Sequence, residues 1–125
     1  MTLDRELGRI EEAILEIEDH GVLTFWLMFD FGGSGQGFGG YTLDAWNPTE
    51  HKREGTACGT DMILRILHAV GVTDWNDLEG KEMWVERDEN HIIAIEAPKY
   101  RKTGGRFDIH DWQNRWFEKV INLTS

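Results

Sequence analysis

The chain has 125 residues, the size of one ordinary domain, and its 40% apolar and 29% charged content excludes a disordered tail. A formal charge of −10 argues against a DNA or RNA partner, since phosphate backbones are gripped by clustered Lys and Arg, whereas a small anion needs only a few well-placed arginines. One cysteine, Cys58, closes no internal disulfide, and neither a signal-peptide pattern nor a membrane-length apolar run occurs, so the expected setting is a reducing cytoplasm with no membrane partner.

Leu3, Leu7, Ile10, Ile14 and Ile17 fall at helical spacing, while Ala13, Leu15 and Ile17 alternate as in a strand. Residues 1–12 are therefore open to helix or strand. The Asp19-His20-Gly21 break before the β-branched and aromatic run from Val22 predicts a hairpin of 9–19 with 22–31. Residues 32–40 hold a glycine-rich loop, Tyr41 to Trp46 a third strand, and 49–54 a polar turn.

Thr56 or Thr60 can cap a helix over about 57–70 that carries Met62, Ile63, Ile66, Leu67 and Val70 on one face, and Gly71 stops it. Residues 73–80 suit a turn or one helical turn. Strands over 82–87 and 92–96 flank the polar turn 88–91, residues 98–106 form a basic loop, and Ile109, Trp112, Trp116, Val120 and Leu123 mark a helix over 107–123. The expected fold is one α+β domain, 1–125: an antiparallel sheet of about five strands, one main helix and a C-terminal helix.

Gly33-x-Gly35-x-Gly37 imitates a dinucleotide fingerprint, but a strand is expected after it where the fingerprint needs a helix. Glycines also let backbone approach a ligand closely, so a ligand-lining role stands beside a plain hairpin loop. The five histidines are scattered, with no paired cysteine ligands, so neither a metal nor another cofactor is expected. Arg53, Arg101, Lys102 and Arg106 stand out against the acidic background, and Trp46, Trp84, Tyr100, Trp112 and Trp116 offer ring faces.

The run Phe31-Gly32-Gly33-Ser34-Gly35-Gln36-Gly37-Phe38-Gly39-Gly40-Tyr41-Thr42-Leu43-Asp44 follows Glu18-Asp19-His20-Gly21 and an apolar strand. Gly55-Thr56, a helix ending Val70-Gly71-Val72, and Trp75-Asn76-Asp77-Leu78-Glu79-Gly80-Lys81 come after it. In this order the segments, over roughly 13–96, resemble the phage-encoded Thoeris anti-defence sponges of the first type. The resemblance implies an oligomeric, non-enzymatic protein that holds glycocyclic ADP-ribose, or cyclic di- or trinucleotides, away from an immune effector. It carries Gly37, Phe38, Gly39 and Gly40 across most directly and Arg53 less so, and it does not reach Arg101, Arg106, Trp112 or Arg115. The expected ligand-binding set is Gly37, Phe38, Gly39, Gly40, Trp46, Arg53, Trp84, Asn90, Arg101, Arg106 and Arg115. Two other readings stay open: an acidic inhibitor of a host defence protein, and a small hydrolase or lyase using His20 or His110.

Overall fold

The Asp19-His20-Gly21 break is a hairpin turn in the structure, a computed structural model that describes residues 4–124, with side-chain surroundings up to residue 117. Gly21 takes a left-handed φ of 81°, and the Glu18 N–H donates to the Val22 carbonyl at 2.9 Å. The turn joins β1 (Asp4–Ile17) to β2 (Leu23–Asp30), so the ambiguous N-terminal residues are strand from Asp4 on. Leu3 and the side chains of Val120 and Leu123 lie outside the described residues.

The residues at helical spacing divide between the two faces of one strand: Leu7 and Ile14 lie outside, opposite Trp84 and Trp26, and Ile10 and Ile17 lie inside, with a bulge between Ile10 and Glu12. Before it, Gly8 and Ile10 face the core; after it, Ala13 and Leu15 do, opposite Leu27 and Phe25. The inserted residue shifts the alternation by one position and so keeps the core face continuous.

The glycine run is itself largely a strand. β3 (Gly35–Gly39) pairs with β2, and no strand forms over 41–43. Asp44–Asn47 (β4) and Lys52–Gly55 (β5) make a separate two-stranded ribbon. The helix α1 (Ala57–Val70) starts where Thr56 accepts the Gly59 N–H at 3.0 Å, and it ends at Gly71, whose φ is 88°. A 3-10 turn (Trp75–Leu78) leads to β6 (Glu82–Asp88), β7 (His91–Glu96), the short β8 (Arg106–Asp108) and α2 (Ile109–Thr124). Asp108 starts α2 by accepting the His110 and Asp111 N–H groups.

The main sheet is antiparallel with the order β3-β2-β1-β6-β7-β8, one strand more than expected. It curls so that its two ends approach: the Gln36 amide donates to the Asn90 carbonyl at 2.9 Å, and the Phe38 and Phe107 ring centroids lie 6.0 Å apart. Phe25, Leu27, Phe29, Phe38, Met83, Val85 and Ile95 line the inside, and α1 closes it with Met62 and Ile66. The outer face carries Leu7, Trp26, Trp84 and a ladder of charges.

Candidate functional site

Trp26 accounts for two glycines of the run, Gly37 and Gly40. It stands on the outer face opposite Gly39, and its indole lies along β3. A Cβ at Gly37 would come within 3.0 Å of that ring, and one at Gly40 within 2.7 Å. At Gly39, where φ is 146°, a Cβ would sit 2.2 Å from the Phe25 carbonyl oxygen. Aromatic cover of glycine in a neighbouring strand stabilises an edge that otherwise lacks side-chain contacts.

Of the residues expected to bind a ligand, Gly37, Gly39 and Asn90 do come together, in a nook of about 190 Å³ between β3 and the β6–β7 turn. Tyr41 shares the nook, its hydroxyl pKa pushed up by burial and then by the Asp88 charge. Phe38 also borders the nook, but the residue is 1% exposed with its ring in the core, so it offers a ligand almost no surface. Gly40 is taken up by its contact with Trp26. The nook is below the roughly 300–1,000 Å³ typical of sites that enclose a drug-sized ligand.

Arg53 is engaged elsewhere. Its Nε and Nη2 grip both carboxylate oxygens of Asp44 at 2.9 Å, and Asp44 Oδ1 also accepts the Leu23 N–H at 3.2 Å. These bonds, the Arg53 pair first, hold the Asp44 carboxyl below its ordinary pKa. The pair fastens the β4–β5 ribbon to the start of β2. Trp46 stands exposed on the same ribbon with its ring edge toward His51.

Trp84 belongs to a larger hollow of about 430 Å³ on the outer face of the sheet. Leu7 and Trp84 are cross-strand partners at its floor, and Pro98, Lys99 and Tyr100 wall one side. The Arg5 guanidinium lies 5.0 Å from the indole centroid, within cation–π range. Arg5 also reaches Glu86 at 2.6 Å and Glu96 at 3.2 Å, so it is held in place over the ring. The Tyr100 hydroxyl donates to Glu82 at 2.6 Å, which fixes the phenol and raises its pKa. Arg101 turns away from the hollow's charge chemistry, bonding the Glu82 carbonyl at 2.9 Å and packing on the Met83 sulfur.

Arg106 and Arg115 line a third hollow of about 260 Å³ together with Arg65 and Trp112. Arg106 grips Glu86 with both terminal nitrogens and touches Glu96 and Asp108. Glu86 therefore ties the arginine of one hollow to that of the other. Its pKa is held down first by Arg106 and further by Arg5, and that of Arg106 is raised in return. Arg65 is held by Asp61 at 2.7 Å, and Asp61 also accepts the Trp116 indole N–H at 2.9 Å. The Trp112 indole nitrogen is buried with no hydrogen-bond partner among the described residues.

Apart from Gly40 and Arg101, the expected set thus divides among three hollows and the ribbon. Arg5, Leu7, Lys99 and Tyr100 line the Trp84 hollow and were not in the expected set. Reading residues 4–9 as a strand opposite Trp84 and Glu86 would have found the first two. Among the described residues no group of three or more His, Cys, Asp or Glu side chains is placed to hold a metal, and no helix is long and apolar enough to cross a membrane. No known protein family, curated protein or solved structure matches the chain.

Proposed function

We propose that the protein is a phage-encoded anti-defence protein that binds a cyclic nucleotide immune signal and holds it without cleaving it. The ligand is of the glycocyclic ADP-ribose kind, or a cyclic di- or trinucleotide. The observation that carries this reading is the Trp84 hollow. It combines an indole platform, a second ring at Tyr100, the cations Arg5 and Lys99, and the acceptor Glu96 in about 430 Å³, within the range of small-molecule sites. A base stacks on such rings, a phosphate pairs with the cations, and a carboxylate accepts a base or ribose donor.

The likeness of the glycine run to the Thoeris sponges supports the same reading. Sequestration needs only preformed contacts, and the bonds that fix Arg5 and Tyr100 before any ligand arrives suit it. The hollow opens to solvent on one side, so a second copy of the chain is proposed to cover it in a homo-oligomer. The proposed place of action is the cytoplasm of the infected host.

The test mixes purified protein with glycocyclic ADP-ribose isomers and cyclic di- and trinucleotides, then denatures it and identifies what is released. Intact nucleotide is expected. An altered one would mean catalysis, and none would favour the acidic-inhibitor reading, which the charge of −10 also suits. Trp84→Ala is expected to weaken binding about 5- to 150-fold, the loss of one base–ring stack of about 1–3 kcal/mol. Titration calorimetry reads this directly, and unchanged affinity would move the site away from Trp84.

A further inference from the structure

The long strand β1 is paired on different sides along its length. Its first part pairs with β6 as far as Arg9 opposite Glu82. That side is extended by two bonds, Ile10 N–H to the Lys81 carbonyl and Gly80 N–H to the Ile10 carbonyl. Past this point β2 is its one strand neighbour among the described residues, and β1 continues to Ile17 with a bare edge.

The hydrogen-bond phase tells which backbone groups lie along that edge. Because the Glu18 N–H donates to the Val22 carbonyl, the alternating rule of antiparallel pairs turns Glu12, Ile14 and Glu16 toward β2. The N–H and C=O groups of Ala13, Leu15 and Ile17 therefore point outward from the sheet, ready to pair with another strand. The side chains at this edge are sorted by face. Leu15 and Ile17 are 41% and 71% exposed on one face, and Leu15 leads into an apolar slot lined by Leu23, Leu43 and Ile63. Glu12 and Glu16 stand on the other face, with Glu18 and Asp19 just beyond.

We infer that the edge of β1 from Ala13 to Ile17 docks an extended segment of another protein, one that alternates basic and apolar residues. An added strand would meet the outward backbone groups, seat an apolar side chain in the Leu15 slot, and set its cations opposite Glu12 and Glu16. Charge decides against a second copy of the same edge. Two-fold pairing centred on Ile14 puts Glu12 against Glu16 of the other copy, and pairing centred on Leu15 puts it against Glu18. Like charges directly opposite each other disfavour both. Glutamates on an edge also guard against indiscriminate pairing, which leaves a basic strand as the permitted guest.

The experiment uses the full chain and a fluorescent, end-capped decapeptide of alternating lysine and valine, read by anisotropy, with an alternating glutamate–valine peptide as control. The lysine peptide is expected to bind and the glutamate one not to. Two further probes carry N-methyl groups, on the valine amides alone or on the lysine amides alone. Strand addition uses one edge of the peptide, so one of these must lose binding and the other keep it; the valine set fails if the pairing is antiparallel. The Glu12→Lys, Glu16→Lys double variant is expected to lose about tenfold in affinity, as two attractive cross-strand pairs become repulsive. Hydrogen exchange should slow at Ala13, Leu15 and Ile17 when the lysine peptide is added. Equal binding of both methylated peptides would reduce the contact to charge attraction and overturn the proposal, as would no binding at all. Slow exchange at those three amides without peptide, in a self-associated protein, would assign the edge to a second copy and overturn it as well. None of these readouts depends on nucleotide binding.

Discussion

Substituting alanine at Gly39 sets a packing role for the glycine run against a ligand-lining role. The φ of 146° is one that side-chain-bearing residues rarely adopt, and the new methyl would start 2.2 Å from the Phe25 carbonyl oxygen. That oxygen also accepts the Gly40 N–H at 2.8 Å, the bond that carries the chain past the end of β3. Relief requires the two backbones to separate. The loss therefore combines about 1–2 kcal/mol for the disfavoured backbone region with about 1 kcal/mol for the weakened bond. A loss of about 3 kcal/mol corresponds to roughly 10 °C in melting temperature for a domain between the small and large size classes. Gly33→Ala is the control, because a Cβ there meets nothing within 4 Å and its φ is not left-handed. It should leave stability within about 0.5 kcal/mol, or raise it slightly by restricting the unfolded chain. Thermal and urea unfolding followed by circular dichroism provide both values. If Gly39→Ala melted within a degree or two of the parent, the close approach to Phe25 would not constrain this position. The glycine would then have to be explained by a ligand.

Two further perturbations address the charge network. Glu86→Gln should cost about 1–2 kcal/mol at neutral pH, the lower part of the range for charged hydrogen bonds, because Arg5 and Arg106 are about 40% exposed and partly screened. Since the folded-state pKa of Glu86 is depressed, its contribution is complete above the ordinary glutamate value and is lost as pH falls through the folded value. The stability gap between parent and variant should therefore begin to narrow in urea titrations as pH falls below about 4 and go on narrowing toward the folded value, and a gap that did not narrow at all on acidification would refute the assignment to charge. Arg53→Glu should lower the melting temperature, since it sets two carboxylates together at the β4–β5 ribbon, and should leave nucleotide affinity unchanged. A fall in affinity without a fall in stability would return Arg53 to the site.

Where residue pattern and geometry are coupled locally, the sequence was a sufficient guide. Thr56 and Gly71 bracket α1 because capping and the left-handed stop are properties of those residues, and Asp19-His20-Gly21 makes its hairpin for a similar reason. The bulge near Glu11 was hidden, because the inserted residue has no distinguishing chemistry and its effect is only a change of phase. β3 was hidden for a different reason. Glycine has low strand propensity, and Gly35–Gly39 is a strand because Trp26 on β2 covers it and Phe38 anchors it in the core. The site was legible in composition but not in assembly. Trp84 and Arg106 were picked out as single residues, whereas their partners Arg5 and Glu86 lie 81 positions apart in the chain and meet through β1–β6 pairing.

The same network bears on the proposal that so acidic a chain holds an anionic nucleotide. Arg5, Arg53, Arg65, Arg87 and Arg106 each have a carboxylate within ion-pair distance, so they arrive at any ligand already neutralised. At the Trp84 hollow Arg5 faces two carboxylates, Glu86 and Glu96, and Tyr100 bonds a third, Glu82. An anion bound there must gain more from Arg5 and Lys99 than it loses to Glu96, and charge alone supplies no such surplus. The balance has to come from the ring faces of Trp84 and Tyr100, which attract flat bases whatever the net charge. On the proposed reading, a hollow built this way is expected to discriminate against inorganic phosphate and simple polyphosphates in favour of anions that carry a base. Competition of phosphate, pyrophosphate and a cyclic dinucleotide for the protein at equal ionic strength should therefore rank only the last as a strong competitor, and effective displacement by pyrophosphate would refute the dominance of stacking over charge.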